Sequence, residues 1–88
     1  MKVTVIYRDN SDHARAIHDF IRDFERQTGK KLETLDPDTP EGDQICRTYD
    51  LVEYPSIIAL TDDGQIQHLW RGIPLPTINE VSYYVREN

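Results

Sequence analysis

The chain has 88 residues, 38% of them hydrophobic, with sixteen acidic against ten basic side chains and a net charge of -6. That length holds one domain, residues 1–88, with one modest core, and the clustering of apolar residues in periodic segments argues for a folded globule over a disordered chain. No basic cluster exceeds Lys30-Lys31, which excludes a nucleic-acid footprint, and the single cysteine, Cys46, excludes an internal disulfide and a cysteine-rich zinc site.

Met1 runs almost at once into Lys2-Val3-Thr4-Val5-Ile6-Tyr7, a β-branched, nearly continuous apolar run that suits a strand covered on both faces. No signal peptide is expected, and no apolar stretch approaches membrane-spanning length. The expected compartment is therefore the cytoplasm, with no membrane partner. The polar loop Arg8-Asp9-Asn10-Ser11 follows. Ile17, Phe20, Ile21 and Phe24 then recur at amphipathic-helix spacing, so a helix is expected over 12–28 with Ser11 or Asp12 as its N-cap and Gly29 just past its end.

A second strand is expected at 31–35, with Leu32 and Leu35 as its apolar content. Asp36-Pro37-Asp38-Thr39-Pro40 is turn chemistry, with Thr39 capping a short helix that starts at Pro40 and runs to about Tyr49, Ile45 and Cys46 on its buried side. Val52-Glu53-Tyr54-Pro55 leads into a buried-type strand, Ser56 to Thr61. Asp62-Asp63-Gly64 marks a hairpin, and Gln65 to Trp70 returns as an edge strand. After the loop Arg71 to Pro76, Thr77 and Glu80 form a capping box for a last helix carrying Ile78, Val81, Tyr84 and Val85. The order is β-α-β-α-β-β-α, an α/β class. The first βαβ unit is expected parallel and the last strand pair antiparallel, giving a four-stranded mixed sheet with helices on both faces.

At Tyr54-Pro55 this pattern resembles a known family. Residues 31–85 are similar to the C-terminal two-thirds of thioredoxins: an aspartate-containing strand end, a short helix, an aromatic residue before a proline, a buried strand, an Asp-Gly turn and a strand closing at Gly72. The opening strand, loop and helix look more like glutaredoxins. The resemblance implies a thioredoxin-like fold in which Pro55 is a cis-proline facing the start of the first helix; read alone, Pro55 could also be a trans-proline opening a strand. It also implies a Cys-x-x-Cys at that helix start. The family spacing puts the motif at Ser11-Asp12-His13-Ala14, or one residue later at Asp12-His13-Ala14-Arg15, and neither frame holds a cysteine.

Thiol–disulfide exchange needs a thiolate nucleophile, and a serine hydroxyl is far too weak an acid to replace it without a general base. A Ser11–His13 pair would need base, orienter and oxyanion donors in one geometry; Ser11 as a plain N-cap explains the residue fully. Cys46 reads as a small buried hydrophobe, with redox sensing as its alternative. His13, His18 and His68 lack ligand spacing, and the first two read as solvated surface histidines. Arg15, Asp19, Arg22, Asp23 and Arg26 read as a solvated charged face. Trp70 is either core packing or an exposed anchor.

The function expected from this reading is a non-catalytic module that binds a protein or extended peptide. Its surface would comprise Ser11, Asp12, His13, Tyr54, Pro55, Gly72 and Ile73, with no catalytic residue, metal or cofactor. Gly72, lacking a side chain, would keep the facing surface open. The alternatives are an atypical redox or glutathione-linked enzyme, whose ligand carboxylate would sit at the first helix N-terminus, and a structural or regulatory subunit, possibly a homodimer through the edge strand.

Overall fold

Alternating side chains make Lys2–Ile6 (β1) a strand with two buried faces: Val3 and Val5 enter one core, Ile6 the other. A computed structural model describes residues 2–85. Beyond β1 it contains α1 (Ala14–Thr28), β2 (Glu33–Leu35), α2 (Pro40–Tyr49), β3 (Ser56–Leu60), β4 (Ile66–Arg71) and α3 (Ile78–Tyr84). The order and mixed character match the sequence expectation. β2 is shorter, since only Glu33, Thr34 and Leu35 lie opposite β1 residues, while Leu32 is buried just outside the ladder.

The sheet runs β2-β1-β3-β4, so β1 and β3 are central and β4 is an edge. β1 pairs parallel with β2 and antiparallel with β3, and β3 pairs antiparallel with β4. A register shift at Ala59/Leu60 irregularises the hairpin side of the last pair. In the hairpin itself, Gly64 has φ 87°, and its N–H donates to the Thr61 carbonyl at 3.0 Å.

Two cores flank the sheet. Ile17 and Phe24 of α1 and Val81 of α3 pack on Val3, Val5, Ile57 and Ala59; Cys46 of α2 and Leu51 pack on Ile6, Ile58 and Leu60. Helices α1 and α3 therefore share one face and α2 covers the other. Each fully buried aliphatic side chain contributes about 1.5–3 kcal/mol relative to exposure. Trp70 lies opposite Ile57 and packs half-buried against the first core, so the core reading of this residue is correct for its inner side. Among the described residues, no helix is long and apolar enough to cross a membrane.

The three helices begin differently. At α2, the Gly42 N–H donates to the Thr39 hydroxyl at 3.1 Å, and Pro40 opens the helix. At α3, Thr77 and Glu80 form the reciprocal capping box. Helix α1 starts two residues later than the sequence implied, and its N-cap, His13, makes no side-chain cap bond. The expected cap is absent because the Ser11 hydroxyl turns backward and donates to the Arg8 carbonyl instead of reaching forward to the helix. Its end is as expected: Gly29 has φ 73° and donates its N–H to the Glu25 carbonyl.

Candidate functional site

The turn between β1 and α1 is built by backbone bonds. Ser11 N–H donates to the Arg8 carbonyl at 3.3 Å, Ala14 N–H to the Ser11 carbonyl at 3.3 Å, and Ile17 N–H to the His13 carbonyl at 3.1 Å. Asp12 is exposed on this turn. His13 is half-buried, and its Nε2 is buried with no hydrogen-bond partner among the described residues. The reading of His13 as a solvated surface histidine is thus corrected: the turn folds its ring inward. No Ser11–His13 hydrogen bond forms, since the serine hydroxyl is engaged by Arg8.

On the far side of the site, the Tyr54–Pro55 peptide bond is cis, as is Ile73–Pro74. Tyr54 is half-buried and Pro55 buried. The Tyr54 hydroxyl donates to the Leu51 carbonyl at 3.0 Å, and the Gly72 N–H donates to the Pro55 carbonyl at 2.7 Å. Among the described residues, neither the N–H nor the carbonyl of Tyr54 has a hydrogen-bond partner. The Cys46 thiol beside the Tyr54 hydroxyl, with burial second, pushes the phenol up to about 12, so Tyr54 is a neutral donor at physiological pH.

Gly72 does not leave an open surface. It is buried, and a Cβ there would lie 2.4 Å from Glu53 Oε2, because the Glu53 side chain lies across it. What the glycine supplies is backbone: φ 70°, a left-handed conformation that side-chain-bearing residues rarely adopt, aims its N–H at Pro55. Ile73 beside it is 61% exposed.

The residue that joins the two sides is Arg8, in sequence one polar residue of the loop after β1. Its carbonyl holds Ser11, while its guanidinium lies 4.9 Å from the Tyr54 ring centroid. The same guanidinium grips Asp38 in a two-point bond, Nε to Oδ2 at 3.0 Å and Nη2 to Oδ1 at 3.2 Å. That hydrogen bonding holds the Asp38 carboxyl below its ordinary value. Ser11, Tyr54, Pro55 and Gly72 are thereby linked through Arg8 and the Gly72–Pro55 bond. Nothing comparable ties in Asp12.

Known structures share this fold. The chain superposes on thioredoxin 1 from the thermophilic eubacterium Thermosipho africanus with a TM-score of 0.66 at 16% identity, covering 97% of this chain and 90% of that one. The chain has the thioredoxin fold. A malarial protein is similar too, with a TM-score of 0.65 at 13% identity, 94% of this chain and 90% of that one being covered. No family model matches the chain, and no curated protein matches it in sequence. On this thioredoxin-like scaffold, Cys46 is buried within α2, away from the start of α1 in sequence and on the opposite face of the sheet. His18, outside the candidate surface, is exposed as expected and bonds Tyr7 Oη and Asp9 Oδ1 at 3.1 and 2.8 Å.

Proposed function

We propose that this chain is a non-catalytic thioredoxin-like protein that holds an extended segment of a partner protein against Tyr54 and Pro55, flanked by the Ser11–His13 turn and Ile73. The observation that carries this reading is the backbone of Tyr54. Its donor and acceptor have no partner among the described residues, while the bonds at Leu51 and Gly72 fix the chain on either side. A preset donor and acceptor on a rigid frame favours strand addition, because little ordering remains to be done on binding. The buried thiol of Cys46 and the serine at the expected nucleophile position support the non-catalytic part.

The test has two arms. Purified protein should reduce insulin disulfides and mixed glutathione disulfides only at background; turnover that vanishes in Cys46→Ser would overturn the non-catalytic reading. Partner recovery from lysate should fall about tenfold in Ile73→Asp and also fall in Tyr54→Ala, with Arg22→Glu unchanged. Recovery that ignores Ile73 and Tyr54 would overturn the surface.

A further inference from the structure

A second surface lies on the edge strand, where His68 and Trp70 of β4 meet Tyr84 of α3. The ring centroids are 4.3 Å apart for His68–Trp70, 5.4 Å for His68–Tyr84 and 5.4 Å for Trp70–Tyr84. The Trp70 and Tyr84 planes stand at 76°, an edge-to-face contact rather than a stack. Tyr84 Oη and His68 Nδ1 are 3.4 Å apart, which ties helix to strand. Together with Tyr83 and Glu80 these rings line a recess of about 250 Å³.

We propose that this recess takes the cationic side chain, arginine or lysine, of a basic partner polypeptide lying beside β4. Three observations converge on that chemistry. Aromatic rings attract a cation within about 6 Å of a ring centroid through the ring quadrupole, and here His68, Trp70, Tyr83 and Tyr84 all line one small recess. A carboxylate stands at the same recess: the capping box uses Glu80 Oε1, which accepts from Thr77 N–H and hydroxyl at 3.4 and 3.1 Å, and Oε2 has no hydrogen-bond partner among the described residues. The chain as a whole carries -6, which steers basic partners toward it. β4 adds a backbone edge facing away from β3, along which an extended segment can run. This surface is separate from the Tyr54–Pro55 surface and does not depend on it.

The experiment titrates ¹⁵N-labelled protein with an acetylated, amidated Gly-Arg-Gly-Arg-Gly peptide and with its citrulline counterpart, which keeps shape and loses charge. The Trp70 indole N–H is an unambiguous reporter, being the only tryptophan in the chain. The arginine peptide should shift this signal saturably, and the citrulline peptide should bind about tenfold more weakly. Glu80→Gln retains a side chain able to complete the capping box and should weaken the arginine peptide about threefold. Tyr54→Ala should leave the titration unchanged. Equal shifts from both peptides, no saturable shift, or shifts centred on Tyr54 and Ile73 would overturn the proposal.

Discussion

Helices α1 and α2 begin in opposite ways. The start of α2 is closed by local bonds: Asp36 accepts from the Thr39 N–H and hydroxyl at 3.0 and 2.7 Å, Thr39 accepts from Gly42, and Gly42 sits so close that a Cβ would fall 1.9 Å from the Asp36 carbonyl oxygen. The start of α1 has no side-chain cap, and the His13 Nε2 beside it is unpartnered among the described residues. A helix start that satisfies its own donors contributes stability and offers nothing to a ligand. One that leaves donors uncapped gives up part of that stability. In this fold, the uncapped start is the one linked through Arg8 to Tyr54 and Pro55.

The contrast breaks most visibly at Gly42. Gly42→Ala drives a methyl group into backbone that cannot swing aside, and should cost about 3 kcal/mol by urea denaturation. A neutral result would mean that the turn at Asp36 yields easily and that α2 is less fixed than described. Next in size is the pair of cap variants. Thr39→Ala should cost about 1 kcal/mol, whereas Ser11→Ala should stay within about 0.5 kcal/mol because that hydroxyl bonds the preceding turn and not the helix. Equal losses in the two variants would restore Ser11 as a cap and erase the difference between the helix starts.

The smallest effect is one of pH. Asp38 has its carboxyl lowered by Arg8, so the stabilisation from that bond is complete above the ordinary carboxylate value of 3.8 and is lost as pH falls through the lower folded value. Both groups are exposed, so the loss belongs to local order more than to global stability. The Asp38 carboxyl carbon, followed by NMR, should titrate with a midpoint below 3.8, and Arg8→Gln should bring that midpoint back toward the ordinary value. A midpoint that Arg8→Gln leaves unmoved would show that Asp38 does not hold the guanidinium over Tyr54.

Much of the fold was legible because its signals are local. Thr39-Pro40, Thr77 with Glu80, Asp62-Asp63-Gly64 and Gly29 each state a backbone requirement within a few residues, and all four stand where the sequence placed them. The site was less legible because its geometry depends on bonds between distant residues. Arg8 reads as one more polar loop residue until Asp38 and Tyr54 are brought beside it. Ser11 offered a plausible forward cap, and only the competing Arg8 carbonyl decides against it. Gly72 looked like open space from its lack of a side chain, yet Glu53, distant in sequence, fills that space. The resemblance to thioredoxins, not the dipeptide alone, singled out Tyr54–Pro55 as a candidate surface, while the half-buried ring of His13 had no signature in the sequence.

The central claim is that the Tyr54–Pro55 surface receives the partner, and site-specific photo-crosslinking tests it most directly. Benzoylphenylalanine placed at Ile73, exposed beside Gly72, should form a discrete covalent adduct with the partner in cells. The same group at Arg22, on the exposed face of α1, should form none, and Tyr54→Ala should abolish the Ile73 adduct while the protein stays folded. Adducts of equal yield from Ile73 and Arg22, or an Ile73 adduct indifferent to Tyr54, would contradict the account.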